Sequence, residues 1–159
     1  MIQRIQSLLL LLTVICLVLG ALMPIGSITT TEAHYIFTPW VLKLNIPEGN
    51  IVMTTYYIGI VQIVLTIIAF IAIFMYKNRN AQSKLCMVGI FINFILLLLM
   101  LYIYPDRIFP AMDIFMYEDI KVIYNPWCIT SILSVAFLYF ANKQIINDEK
   151  KVRDADRLR

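Results

Sequence analysis

The chain has 159 residues, 61% of them hydrophobic and only 14% charged. Soluble domains average about 45–50% apolar and about 25% charged, so this is not the balance of a water-soluble globule. The length suits one domain, and a formal charge of +3 carries no nucleic-acid signal.

Residues 5–31, 49–76, 85–105 and 122–142 contain no charged side chain. About 20 apolar residues carry an α-helix across roughly 30 Å of hydrocarbon. The expectation is an all-α membrane protein: a four-transmembrane-helix bundle forming a single integral membrane domain over 1–159. Its spans fall at about 7–24, 52–76, 85–104 and 126–142, with a helical tail at 143–159.

At the N-terminus, Arg4, the apolar run 8–19 and Gly20-Ala21 have the layout of a signal peptide. We read the segment as a retained first span. The following connection holds Thr-rich and β-branched runs with Tyr35, Phe37 and Trp40 over 27–44, and 119–124 reads Asp-Ile-Lys-Val-Ile-Tyr. Both suit short strands, so a small antiparallel patch is expected over one end of the bundle. The alternative is an interfacial helix at 108–116 without a sheet. Asn125-Pro126 reads as a helix cap followed by proline at the first helical position. Pro24 and Pro105 close spans one and three.

Loop charges orient the bundle. Arg4; Lys77, Arg79 and Lys84; and Lys143, Lys150, Lys151, Arg153, Arg157 and Arg159 make up ten of the thirteen basic residues. The other two connections hold Lys43, Arg107 and Lys121 against six acids. Lys and Arg accumulate on the cytoplasmic side, which puts both termini inside. Tyr56, Tyr57, Tyr102, Tyr104 and Trp127 at one set of span ends, with Tyr76 and Tyr139 at the other, fit interfacial belts.

Each span carries small or polar residues three and four apart: Thr13, Cys16 and Gly20; Thr55, Gly59, Gln62, Thr66 and Ala69; Cys86, Gly89 and Asn93; Ser131, Ser134, Leu138 and Ala141. Such steps keep one helical face. In lipid, helices associate through small residues and interhelical hydrogen bonds, so these faces should meet. The helix-packing polar stripe is Gln62, Thr66, Asn93, Ser131 and Ser134. At 1.5 Å per residue, Thr66, Asn93 and Ser131 lie at similar depths, roughly 13–16 Å from the cytoplasmic ends. Asn93 is therefore expected to bond Thr66 or Ser131.

The chemistry-bearing patterns are few. No charged residue or histidine lies inside a predicted span, which argues against ion-coupled transport. No Ser-His-Asp set, phosphate loop or CxxC is present, and the three cysteines read as small apolar residues. Glu32-x-His34 supplies too few ligands for a metal. No cofactor or metal is expected. In the tail, Glu149/Arg153 and Lys150/Asp154 are i,i+4 pairs. Arg4, Arg153, Asp156, Arg157 and Arg159 form a candidate surface for a partner or for lipid headgroups.

The opening Met1-Ile2-Gln3-Arg4-Ile5-Gln6-Ser7 and the closing Val152-Arg153-Asp154-Ala155-Asp156-Arg157-Leu158-Arg159 resemble a family of small four-span inner-membrane proteins of Bacteroidota, catalogued only as a domain of unknown function. The resemblance implies a bacterial inner-membrane location and no activity. The expected role is a non-catalytic accessory or assembly subunit of a larger inner-membrane complex, with protein export as one host. Its partners would be membrane lipids and other inner-membrane or membrane-associated proteins. The alternative is a small homo-oligomeric channel or carrier for an uncharged solute. An enzyme acting on lipid or polyprenyl substrates would need acids or histidines clustered at one interface, and the acids are scattered.

Overall fold

A computed structural model of the chain describes residues 2–30, 33–45, 50–103 and 121–157, with side chains over 5–30, 33–45, 50–102 and 121–154. Four helices dominate: α1 (Ile2–Leu22), α2 (Tyr56–Phe74), α3 (Arg79–Leu98) and α4 (Ile129–Arg157). Each is long and apolar enough to cross a membrane. They form a ring in which α1 and α3 each pack on both α2 and α4, the arrangement of an up-down-up-down bundle. The outward faces expose large apolar side chains, among them Leu8, Ile67, Phe70, Phe91, Phe94 and Ile132.

The helix boundaries depart from expectation where local chemistry decides. Span two was expected from residue 52, but Ile51–Thr54 is a strand and α2 begins at Tyr56. Ile51, Val52 and Thr54 are β-branched and pair with a neighbouring strand instead of turning into the helix. After α2, one 3₁₀ turn (Met75–Lys77) leads to Asn78, whose Oδ1 accepts from the Ala81 N–H at 3.2 Å. That cap starts α3 at Arg79, six residues before the expected 85, so the basic connection is mostly helix. The end of α3 widens into a π turn over Leu99–Ile103. A 3₁₀ turn (Pro126–Cys128) opens α4, with Pro126 at its start and Asn125 Oδ1 accepting from Trp127 N–H at 3.4 Å. The helix then runs without a break to Arg157.

The expected β patch is present, and it is larger than the two segments suggested. Five antiparallel strands, β1 (Gly26–Thr29), β2 (His34–Phe37), β3 (Val41–Leu44), β4 (Ile51–Thr54) and β5 (Lys121–Tyr124), stand in the order β4-β3-β2-β1-β5. Four come from the α1–α2 connection and the fifth from the α3–α4 connection. Gly26 pairs with both Phe37 and Tyr124, which places β1 between β2 and β5. The alternative helix at 108–116 lies outside the described residues.

One face of the sheet is a lid on the bundle. Ile28, Phe37 and Leu42 are buried with Leu17, Ile58, Leu65, Leu96 and Met100 in one apolar cluster. A second cluster, including Leu10, Ala72, Leu138 and Ile145, fills the opposite, tail end. Trp40, between β2 and β3, clamps the lid down. Its indole N–H donates to Ala21 O of α1 at 2.7 Å, and its carbonyl accepts from Thr55 N–H at 2.8 Å. Its ring lies so close to Gly59 of α2 that a Cβ there would stand 2.5 Å from ring carbon Cε3.

Candidate functional site

The polar residues of the four spans converge on the bundle axis. Gln62, Asn93 and Ser134 are fully buried, Ser131 nearly so, and Thr66 half-buried. Gln62 Nε2 donates to Leu17 O of α1 at 3.2 Å. This amide lies against Gly20, where a Cβ would come within 2.5 Å of Nε2, so glycine is what admits the side chain. Asn93 Nδ2 donates to Ser134 Oγ at 2.6 Å, and Ser134 Oγ donates to Ser131 O at 2.7 Å. The expected partners of Asn93 are thus corrected. Thr66 is turned back onto its own helix, its Oγ1 donating to Gln62 O at 2.8 Å, and Ser131 Oγ faces Met100 Sδ at 3.9 Å. Hydroxyls readily donate to the preceding helical turn, which removes Thr66 as a donor to another helix.

Asn93→Leu is expected to lower heat stability in detergent by about 0.6 kcal/mol, and by no more than about 2, the range for such bonds between membrane helices. Thermal unfolding monitored by circular dichroism measures it. Unchanged stability would mean that the Asn93–Ser134 bond does not hold the helices together.

A second polar group closes the tail end. Asp148 of α4 is only 6% exposed. Gln6 Nε2 of α1 donates to its carboxylate Oδ2, while Arg79 Nη1 of α3 donates to its backbone carbonyl at 3.2 Å. Ser83 Oγ donates to Asn142 Oδ1 at 2.7 Å, and Gln82 Nε2 to Ala72 O at 2.9 Å. The predicted spans hold no ionisable residue, yet the bundle buries one just past the end of span four. Asp148 lies beyond the predicted span but continues the buried face Leu138, Ala141, Ile145 at steps of three and four. The same extension by one turn picks out Gln6 before Leu10, and Gln82 before Cys86. That spacing was a signal the sequence reading did not use.

Among the described residues, three buried amide oxygens, Gln62 Oε1, Asn93 Oδ1 and Gln82 Oε1, accept no hydrogen bond. Among the described residues no three His, Cys, Asp or Glu side chains gather as metal ligands would. Cys16, Cys86 and Cys128 are free thiols. In the tail, Arg153 and Glu149 form an ion pair at 2.9 Å. Among the described residues no such pair joins Lys150 to Asp154. The side chains of Arg4, Asp156, Arg157 and Arg159 lie outside the described set.

The buried seam, the ring of apolar helices and the strand-bearing connections run through the described residues from end to end, and one family model, that of a domain of unknown function (DUF4293), matches residues 2–158. The chain belongs to the DUF4293 family. None of the curated proteins compared with it matches. Membership covers both ends that suggested it, and it carries no activity with it.

Proposed function

We propose that this DUF4293 protein is a non-catalytic accessory or assembly subunit of a larger complex in the bacterial inner membrane, with protein export as one host process. Both termini face the cytoplasm and the sheet faces outside. The carrying observation is where the polar side chains are spent. Those of the spans turn inward and bond to their own bundle, while the sheet's far face and the charged end of α4 remain open to other molecules. A membrane helix bundle held by internal hydrogen bonds is a scaffold, and its free surfaces are its two ends. The distribution of basic residues supports the orientation, since ten of thirteen fall at the tail end.

Purification in a mild detergent followed by native mass spectrometry tests the role. The expected result is a stoichiometric complex with another membrane protein. Consistent emergence as a monomer or homodimer would overturn it.

A second reading, a small homo-oligomeric channel or carrier for an uncharged solute, draws support from the three unmatched amide oxygens at different levels of the core. A solute with hydroxyl or amide donors would find acceptors there. Liposomes bearing the purified chain would then swell in glycerol or urea gradients faster than empty ones. Equal swelling rates would leave the accessory role alone.

A further inference from the structure

On the far face of the sheet, residues stand in two rows across β2, β1 and β5. Nearest the helices are Ile36, Ser27 and Ile123, and further out are His34, Thr29 and Lys121. Consecutive same-face rows are about 7 Å apart. The inner row meets a shoulder made by Pro24 and the Asn125–Pro126 turn, and together they enclose an open groove of about 250 Å³ that reaches to His34. This is less than the about 300–1,000 Å³ of a pocket that engulfs a drug-sized ligand. It suits a headgroup whose remainder lies outside.

The level of the groove is set by the helix ends. Trp127, Tyr102 and Tyr56 are exposed around this end of the bundle, where such rings mark a membrane interface. Going outward, the groove therefore passes from proline and isoleucine to donors and a cation. Asn45 Nδ2 lies 3.2 Å from His34 Nδ1. That contact engages one ring nitrogen of His34 and leaves Nε2 as the other polar atom of the ring. Ser27 lines the groove with His34; Lys121 and Thr29 stand on the same face of the sheet one row beyond Ile123 and Ser27, and Lys43 lies on that face of β3. No described residue on this face is acidic.

We infer that the groove binds the headgroup of an anionic phospholipid from the leaflet on the sheet side. The phosphate is met by Lys121 and His34, and the glycerol-ester region lies on Ile36 and Ile123. The order of apolar and cationic rows matches a lipid leaving the hydrocarbon, and the described charges of the face, Lys121 and Lys43, favour a negative headgroup. The inference rests on membrane insertion of the helices and requires no protein partner.

The test is native mass spectrometry of the full chain released from nanodiscs of equal phosphatidylcholine and phosphatidylglycerol. Incorporation into the disc reports insertion, and the lipid retained after release reports the site. Wild type should retain phosphatidylglycerol preferentially. The exposed double variant His34→Ala/Lys121→Gln should retain several-fold less, as should Ser27→Phe, which fills the groove. Lys77→Gln/Lys84→Gln, at the other end of the bundle, should match wild type. Equal retention of the two lipids would overturn the inference, as would a loss at Lys77/Lys84 as large as that at the groove. So would displacement of the lipid by inorganic phosphate, which would assign the groove to a free anion, or by a soluble glutamate-rich peptide, which would assign it to protein.

Discussion

Replacing Gln6 with leucine is expected to destabilise the protein by about 2–3 kcal/mol, because it leaves a buried carboxylate without its donor. Asp148 is 6% exposed, and Gln6 Nε2 reaches its Oδ2 from α1. Once that amide is gone, the buried carboxyl oxygen has lost the donor that offsets its burial. Asp148→Leu is expected to cost less, since the orphan left behind is a neutral amide near the end of α1. The double variant Gln6→Leu/Asp148→Leu should recover most of the loss, because two apolar groups of similar size replace both partners and leave nothing unsatisfied. Arg79 serves as the control. It donates to the Asp148 backbone carbonyl, which every one of these variants keeps. Unfolding of the four proteins in mixed micelles measures the cycle. If the two single losses simply add in the double variant, the pair is not coupled and the burial of Asp148 has another cause.

The inner faces of the helices were legible because their spacing is regular. Small and polar residues recur at three and four along each span, and those positions lie on the axis. The same rule, run one to two turns past the expected span ends, reaches Gln6, Gln82 and Asp148, which composition alone assigns to solvent. The choice between Ser131 and Ser134 for Asn93 was not legible. Depth counted along a helix is good to about one turn, and one turn separates the two serines. The sheet was only partly legible. Its strands have four residues each, too short for alternation to stand out, and β4 was concealed by continuity with the apolar run of α2. The groove needed the register, because Ser27, Ile36 and Ile123 become neighbours only when three strands from two connections are paired. Nothing in the sequence joins Trp40 to Gly59, since that contact is made between the β2–β3 turn and the first turn of a separate helix.

That contact predicts a second large effect. Gly59→Ala is expected to lower stability by about 1–3 kcal/mol, the cost of forcing an extra carbon into a packed site. The added Cβ would stand 2.5 Å from Trp40 Cε3 and 2.6 Å from Cζ3, so the ring has to move. It is held on both sides: its N–H is bonded to Ala21 O at 2.7 Å, and its own backbone is tied to Thr55 at 2.8 Å. A small shift therefore breaks the indole bond or lifts the β2–β3 turn from α2. On an ordinary helix surface the same change would stabilise, because alanine is about 1 kcal/mol better than glycine in a helix. The sign of the effect therefore separates close packing from propensity. Hydrogen exchange should quicken at β2 and β3 amides more than in the middle of α3, because the lid loosens before the bundle does. The decisive arm is the cycle with Trp40→Ala, in which the Gly59→Ala penalty should fall or reverse. A penalty that persists without the indole would place the obstruction on the backbone of the β2–β3 turn, where Pro39 O accepts from Gly59 N–H at 3.1 Å, and the clamp would then belong to the turn and not to the ring.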